Sequence, residues 1–177
     1  MLGVGDKFPK FKLEACTKDG GLNFPVITDE TNKGKWQIVF FWPKDFTFVC
    51  PTEIVAFDNL NSEFEKRGAV LMGASIDTEF VHHAWKESHP QLKNLQMPML
   101  ADVKRELSTE LGILDKDAGV SQRATYIVDP EGTIKFVMVT DLGIGRNPEE
   151  VLRVLDALQT GGLTPCGWKS GDDTLAV

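Results

Sequence analysis

Along the chain, strand-like apolar runs alternate with apolar residues at helical spacing. A strand is predicted at residues 35–42, which contain the apolar run 38–42, and a second buried strand at residues 69–76. The second is nearly all apolar, as expected when both faces of a sheet are covered. Between the two strands, apolar residues recur at helical spacing and predict a helix over residues 52–66, with Gly68 as the residue that follows its end. The residues of this stripe are Ile54, Phe57, Leu60 and Phe64.

The chain after residue 76 continues the same alternation. A helix is predicted over residues 78–88, with Asp77 or Thr78 as its cap, followed by a short strand at 97–100. Val103, Leu107 and Leu111 predict another helix, capped by Asp102 and ending near Gly112, before a polar loop at 115–119.

The last regular elements are a β-hairpin and a helix. Strands at 124–129 and 133–140 are joined by Asp129-Pro130-Glu131-Gly132, which has the residues typical of a type I turn. Asn147 then has the character of an N-cap, and Val151, Leu155 and Leu158 form the buried stripe of the final helix.

This order of elements predicts an α/β fold of three layers around a central mixed β-sheet, with the element order of thioredoxin-like proteins. Short strands are expected before it, at residues 8–13 and 22–27. The length of 177 residues suits a single domain. We assign residues 1–159 to this domain and residues 160–177, which are rich in glycine, to a mobile C-terminal tail that contains Cys166.

Composition and charge exclude several classes of function. The formal net charge is −7 and no run of Lys or Arg occurs, so binding to nucleic acid or to an anionic membrane is disfavoured. No apolar run approaches the ~20 residues of a membrane span, and the first residues lack the apolar segment of a signal peptide. A cytoplasmic protein is therefore expected.

Cys50 lies where the first strong strand meets the first strong helix. The apolar run ends at Pro43, and Pro51 suits the first helical position, so Cys50 is predicted to be the N-cap. There the free N–H groups of the first turn and the helix dipole would favour a thiolate, whereas Glu53 would oppose it, so a cation is also needed. Local position alone equally allows a small buried apolar residue.

The remaining cysteines and the histidines suggest no metal site and no disulfide framework. Three cysteines without C-x-x-C or zinc-like spacing argue against both, and Cys16 has no neighbour that would stabilise a thiolate. His82 and His83 point about 100° apart on a helix, and His89 lies two turns beyond His82. These histidines are expected to be solvated or to serve in packing.

Cys50 and two residues that precede it indicate a family resemblance. Pro43, Thr47 and Cys50 match the pattern P-x-x-x-T-x-x-C, and residues 45–53 read DFTFVCPTE. The chain thereby resembles the typical 2-Cys peroxiredoxins, which include the bacterial alkyl hydroperoxide reductase peroxidase subunit. The resemblance covers essentially the whole chain and continues through the segments SID at 75–77, RAT at 123–125, GRN at 145–147 and PCGW at 165–168.

The resemblance implies the chemistry of the site. It implies a thiol-specific peroxidase that reduces hydrogen peroxide and organic hydroperoxides in antioxidant defence, with Cys50 as the peroxidatic cysteine. Thr47 and Arg123 would hold the thiolate and the peroxide, and Pro43 would keep water from the sulfur. Because an arginine is permanently charged and has fixed donors, Arg123 can supply the missing cation. No metal, haem or flavin cofactor is implied.

The same resemblance implies an oligomer and a second cysteine. Glu53 would orient the arginines, with Arg146 as the second one. Cys166 would be the resolving cysteine, supplied by the other subunit of a homodimer, and five such dimers commonly form a ring. The disulfide would be reduced by an external dithiol protein, either thioredoxin or a flavoprotein disulfide reductase.

Other functions remain open at this stage, together with one departure from the family. A holdase could use the same oligomer, a disulfide oxidoreductase would lack its usual C-x-x-C, and a cysteine hydrolase would lack a histidine base near Cys50. The Gly-Gly-Leu-Gly insertion of relatives that are sensitive to overoxidation is absent from residues 91–97, and no Tyr-Phe pair follows Trp168. We therefore expect resistance to sulfinic acid formation.

Overall fold

The computed structural model describes residues 1–176 and contains nine strands and five helices within them. The strands are β1 (Lys12–Cys16), β2 (Val26–Thr28), β3 (Trp36–Phe41), β4 (Ala69–Ser75), β5 (Met99–Ala101), β6 (Leu114–Asp115), β7 (Val120–Ser121), β8 (Arg123–Val128) and β9 (Ile134–Thr140). The helices are α1 (Val49–Asn59), α2 (Asn61–Lys66), α3 (Glu79–Ser88), α4 (Glu106–Leu111) and α5 (Pro148–Thr160).

Seven of the strands form one mixed sheet in the order β2-β1-β5-β4-β3-β8-β9. The neighbours β3, β4 and β5 run parallel, whereas β1, β2, β8 and β9 pair antiparallel. The strands β6 and β7 form a separate two-stranded hairpin. The central strands are therefore joined by helical crossovers, as the order of the predicted elements requires.

The core consists of one apolar cluster on each face of the sheet. Successive residues of a strand point to opposite faces, so Ile38 and Phe40 enter one cluster and Val39 and Phe41 enter the other. The first cluster also receives side chains from α1 and α5, and the second receives side chains from α4. The predicted α/β fold with three layers and a mixed central sheet is confirmed.

Several predicted caps and turns are present. The Thr78 hydroxyl accepts a hydrogen bond from the N–H of Val81 at the start of α3, and the Asn147 side chain accepts one from the N–H of Glu149 at the start of α5. In the predicted hairpin, Asp129 Oδ1 accepts from the N–H of Thr133 at 2.8 Å. Gly68 follows α2 with φ of 67°, which matches its predicted role.

The single helix predicted over residues 52–66 is wrong in its start and in its continuity. α1 begins at Val49, and the chain then breaks at Leu60 into α2. At the break the N–H of Leu60 bonds to the carbonyl of Phe57, which is the tighter i to i+3 pattern that often ends a helix. The apolar stripe continues across this break, so spacing alone does not reveal it.

The helix predicted after Asp102 is shorter than expected. α4 begins only at Glu106, because Arg105 has left-handed backbone with φ of 59°. The Asp102 carboxylate still accepts from the N–H groups of Leu107 and Ser108, so it caps the helix from outside. Val103 is 41% exposed and does not belong to the buried stripe.

Short strands were the least accurate part of the prediction. The first two lie a few residues later than expected, at β1 and β2, and β5 is shifted to 99–101. The polar loop at 115–119 is the connection within the hairpin of β6 and β7. Strands of two or three residues are too short for a period of two to be recognised.

The C-terminal tail folds back on itself and on α5. Leu163 pairs with Leu175 in an antiparallel bridge, and the carbonyl of Trp168 accepts from Arg153 Nη1 at 2.9 Å. The Trp168 side chain is buried, and its Nε1 donates to the carbonyl of Asp172 at 3.0 Å. A mobile tail was expected, but these contacts give it a defined path.

None of the helices formed by residues 1–176 has the length and apolar character needed to cross a membrane.

The close packing between β4 and the first cluster gives a test of the fold. A Cβ atom at Gly73 would lie 2.6 Å from Trp42 Cζ3 and 3.0 Å from Phe40 Cζ. Because these rings are enclosed, Gly73→Ala should lower the free energy of unfolding by about 1–3 kcal/mol in urea titrations. Gly143→Ala, on an exposed loop, is the control and should change it by less than about 0.5 kcal/mol. Equal values for the two variants would contradict this packing.

Candidate active site

Cys50 is the second residue of α1 and is fully buried. The predicted N-cap position is wrong, because the helix already begins at Val49 and Phe48 is its cap. Within residues 1–176 no backbone N–H donates a hydrogen bond to the sulfur, so the expected contacts with Thr52 and Glu53 are not formed. Cys50 still lies in the first turn, near the positive end of the helix dipole.

Arg123 supplies the positive charge beside this sulfur. It is the first residue of β8, and its Nη1 lies 3.3 Å from Cys50 Sγ and 2.6 Å from Glu53 Oε2. The two hydrogens of Nη1 can therefore serve both acceptors, while Nε donates to the carbonyl of Leu142 at 2.7 Å. Since Arg123 and Cys50 are both buried, solvent does little to screen this charge from the sulfur.

Glu53 connects the two arginines from the next turn of α1. Its Oε1 accepts from Arg146 Nε at 2.7 Å and from the backbone N–H of Arg146 at 2.9 Å, and its Oε2 accepts from Arg146 Nη2 at 2.9 Å. Burial alone would raise the pKa of Glu53, but these hydrogen bonds, with the charges of Arg146 and Arg123, hold the pKa below its usual range. Glu53 is therefore an anion in the folded protein near neutral pH.

Arg146 is fixed on its other side by the core of the protein. Its Nη1 donates to the carbonyl of Ala124 at 2.6 Å and to Thr125 Oγ1 at 3.1 Å. Its guanidinium also lies 5.4 Å and 5.6 Å from the ring centres of Phe40 and Phe57, within the range of cation–π interaction. Arg146 thus holds Glu53 in place rather than facing the sulfur.

The buried group has an excess of positive charge beside the sulfur. Arg123 and Arg146 contribute two positive charges, and Glu53 contributes one negative charge. An uncompensated buried charge is costly, so this part of the site favours a negative charge next to Arg123. The arrangement therefore suits chemistry in which negative charge develops beside Cys50.

Pro43 and Thr47 lie on the loop between β3 and α1. Pro43 is buried and Thr47 is half-buried. The Thr47 hydroxyl donates to the carbonyl of Lys44 at 3.1 Å, so it does not contact the sulfur in this structure. Its oxygen can still accept a hydrogen bond from a molecule bound above Cys50.

Cys166 is exposed on the folded tail and forms no disulfide with Cys50. It lines a groove with the last turns of α5, including Ala157 and Leu158. All three cysteines are free thiols, and all three lie in the described part of the chain. Cys16 is buried in β1, where loss of solvation raises the pKa of its thiol despite the nearby charge of Lys86.

Sequence reasoning missed one buried polar pair next to the site. His82 Nδ1 lies 2.6 Å from Asp45 Oδ2, and Trp42 Nε1 donates to Asp45 Oδ1 at 2.8 Å. Asp45 and His82 are separated by 37 positions, so no local pattern could connect them. In residues 1–176 no histidine contacts Cys50, and no group of three or more His, Cys, Asp or Glu residues could hold a metal ion.

The lowered pKa of Glu53 gives a prediction for stability as a function of pH. Its folded pKa lies below the unfolded value of about 4.3, so the stabilisation is complete above that value and is lost as pH falls through the folded pKa. Glu53→Gln should lower the free energy of unfolding by about 3–5 kcal/mol near neutral pH, because both arginines lose their partner. In urea titrations this difference should shrink below about pH 4.

Glu149→Gln is the matched control, since it removes the same charge from an exposed position on α5. It should change the free energy of unfolding by less than about 0.5 kcal/mol at any pH. If the difference in free energy of unfolding between Glu53→Gln and wild type stayed constant down to the acid transition, Glu53 would not be the anion of this site.

Comparison with known proteins agrees with this geometry. A model of the AhpC/TSA family matches residues 4–137. Alkyl hydroperoxide reductase C of Mycobacterium tuberculosis is 52% identical over 184 aligned residues, which cover 99% of this chain and 94% of that protein. The structure of Mycobacterium bovis AhpC is 50% identical and superposes with a TM-score of 0.87, covering 96% of this chain and 99% of the other.

A more distant structure shares the fold as closely. The reduced 2-Cys peroxiredoxin of Plasmodium vivax is 34% identical and has a TM-score of 0.92, with 98% of this chain and 93% of that chain covered. The similarity thus extends over nearly the full length and includes both Cys50 and the helical elements around it. The chain belongs to the AhpC/TSA family, as its resemblance to the 2-Cys peroxiredoxins predicted.

Proposed function

We propose that the protein is a thiol-specific peroxidase that reduces hydrogen peroxide and organic hydroperoxides to water and alcohols, with Cys50 as the nucleophile. The observation that carries this proposal is the contact of 3.3 Å between the buried Arg123 guanidinium and the buried Cys50 sulfur. Such a contact provides a thiolate and a fixed positive charge at one point. The related proteins named alkyl hydroperoxide reductase C are in line with it.

The reaction at Cys50 is a displacement on oxygen. The thiolate forms a bond to the outer peroxide oxygen, the O–O bond breaks, and the remaining oxygen leaves with the electron pair and takes up a proton to give water or an alcohol. Cys50 is then a sulfenic acid. Arg123 stabilises the negative charge as it moves from sulfur to the leaving oxygen, without having to reorganise.

Thr47 and Pro43 complete the site from the loop above α1. The Thr47 hydroxyl already donates to Lys44, so its free lone pair is available to accept the O–H of the peroxide. Pro43 has no N–H and is buried, so it closes the site with an apolar wall that limits hydration of the sulfur. Both roles agree with those implied by the family resemblance.

Cys166 is the thiol that we assign to the second half of the cycle. It condenses with the sulfenic acid of Cys50, forming a disulfide and releasing water. Because Cys50 is fully buried, the first turn of α1 must unwind before the two Cα atoms reach about 4.4–6.8 Å. An external dithiol protein, thioredoxin or a flavoprotein disulfide reductase, would then reduce the disulfide.

The disulfide is proposed to join two subunits. Arg146, next to the start of α5, lies at the site of Cys50, whereas Cys166 lies along the groove beside Ala157. The nine residue steps from Pro148 to Ala157 extend roughly 13 Å along the helix. The tail of a second subunit avoids this separation, which favours an intersubunit bond.

We infer a homodimer, and the family resemblance implies a ring of five such dimers. Strand β9 lies at the edge of the sheet, and within the described residues its outer side is unpaired, so two copies can join their sheets around a two-fold axis. Phe46, Phe48 and Phe80 are 58%, 94% and 58% exposed and provide apolar surface for contacts between dimers.

Three free thiols also suit the reducing cytoplasm, where we place the enzyme.

The two-cysteine cycle predicts a simple pattern on gels without reductant. One equivalent of hydrogen peroxide should convert the wild-type protein into a covalent dimer, and neither Cys50→Ser nor Cys166→Ser should form it. Cys16→Ser is the control and should behave as wild type, since Cys16 is buried in β1. A dimer in Cys50→Ser, or an intrachain product in wild type, would contradict the assignment.

The absent Gly-Gly-Leu-Gly insertion predicts resistance to overoxidation. Without this segment the first turn of α1 unwinds readily, so disulfide formation should outpace the second oxidation of Cys50. Mass spectrometry after turnover at high peroxide should therefore find mostly the disulfide. In Cys166→Ser, where the disulfide cannot form, sulfinic acid should accumulate. Rapid and stoichiometric sulfinic acid in the wild-type protein would refute this prediction.

A further inference from the structure

We propose that Asp45 and His82 are a positioning pair for the peroxidase reaction, which holds the loop of residues 43–48 so that Thr47 meets the peroxide above Cys50. The proposal rests on the proposed function and adds to it two residues that touch neither Cys50 nor Arg123. It follows from the contacts of a loop that is otherwise mostly exposed to solvent.

Asp45 is the buried polar anchor of this loop. Its Oδ1 accepts from Trp42 Nε1 at 2.8 Å, its Oδ2 lies 2.6 Å from His82 Nδ1, and its N–H donates to Asp77 Oδ2 at 2.8 Å. Asp77 is held in turn by the hydroxyl of Ser75 at 2.8 Å. The carboxylate and the N–H of Asp45 are thus bound to Trp42 after β3, to His82 on α3 and to Asp77 between β4 and α3.

His82 links Asp45 to the central sheet. It is fully buried on α3, and its Nε2 lies 3.1 Å from the carbonyl of Leu100 on β5. A carbonyl oxygen only accepts, so Nε2 carries a proton, and one further proton is shared between Nδ1 and Asp45 Oδ2. The pair therefore has no net charge, which makes its burial tolerable. Burial raises the pKa of Asp45, in keeping with a shared proton.

The rest of the loop has little to hold it. Lys44 and Phe48 are exposed, and the Thr47 hydroxyl bonds only to the carbonyl of Lys44 in the same loop. Phe46 is also exposed, but its ring centre lies 5.8 Å from that of Trp85 on α3. Phe46 has left-handed backbone with φ of 54°, which a non-glycine residue adopts only when its surroundings impose it. Asp45 precedes Phe46 directly, so the fixed carboxyl, together with the contact between Phe46 and Trp85, sets this turn and the direction of Thr47.

Two substitutions of His82 separate positioning from packing. An asparagine amide can replace Nδ1 and keep the contact with Asp45, whereas a glutamine amide can replace Nε2 and keep the contact with Leu100. His82→Asn therefore preserves the link to the loop, and His82→Gln preserves only the link between α3 and the sheet. His83→Gln, on the next position of the same helix, is the control.

The measurement is the rate of Cys50 oxidation by hydrogen peroxide, followed by tryptophan fluorescence in a stopped-flow instrument. We expect His82→Gln to lower this rate at least about tenfold, since small displacements of a positioning group cost up to about 10²-fold. His82→Asn should stay closer to wild type, and His83→Gln should match it. Alkylation of Cys50 by iodoacetamide, which does not need Thr47, should change little in any of them.

Asp45 gives a second comparison that does not depend on replacing a ring. Asp45→Asn can keep both contacts, because its amide oxygen accepts from Trp42 and its NH2 donates to a neutral His82, so it should oxidise near the wild-type rate. Asp45→Ala removes both contacts and should lose at least about tenfold. Equal rates for Asp45→Asn and Asp45→Ala would overturn the proposal.

Further outcomes distinguish a failure of the positioning role from a failure of the proposed peroxidase function. A His82→Gln rate equal to wild type, or equal losses in His82→Asn and His82→Gln, would overturn the positioning role and leave the peroxidase intact. Parallel losses of peroxide and iodoacetamide rates would show a general disruption of the site and would also overturn it. If the wild-type protein is itself not oxidised by peroxide, the proposed function fails.

Discussion

The structure around Cys50 depends on a buried balance of charge. Two guanidinium groups, of Arg123 and Arg146, face one carboxylate, of Glu53, in a region from which solvent is excluded. Charges in such a region must be paired, and the sulfur of Cys50 is the only remaining group in contact with Arg123 that can supply the missing negative charge among the described residues. The excess positive charge is thus held against the sulfur by the same contacts that hold the site together.

The fold brings these four side chains together from three separate parts of the chain. Cys50 and Glu53 come from successive turns of α1, Arg123 begins β8, and Arg146 precedes α5. Strand β3 pairs with β8, which places the start of α1 and the first residue of β8 at the same end of the sheet. Arg146 reaches this point through the core, where the stacked rings of Phe40 and Phe57, with centres 4.1 Å apart, lie beneath it.

The sequence predicted the fold better than the contacts within it. Strands β3, β4, β8 and β9 and helices α3 and α5 were found because each has a long apolar pattern, a clear cap or a clear turn. The N-cap assignment of Cys50 failed because Pro51 also suits the third helical position, and spacing cannot distinguish the two. The break at Leu60 and the short hairpin of β6 and β7 left no pattern long enough to detect.

Long-range polar contacts could not be predicted from local sequence at all. The need for a cation near Cys50 followed from Glu53, and Arg123 entered through the family resemblance. The pair of Asp45 and His82 had neither kind of signal, since its members are far apart in the chain and the histidines show no ligand spacing. Such pairs become visible only when the sheet and α3 are in place.

The central claim is that the forked geometry of Arg123, and not its charge alone, activates Cys50. Arg123→Lys keeps the positive charge, but one ammonium group cannot bind Glu53, the carbonyl of Leu142 and the sulfur together. The most direct test is the rate of Cys50 oxidation by hydrogen peroxide in this variant. The account predicts a loss of at least about 10²-fold. A rate indistinguishable from wild type would contradict it.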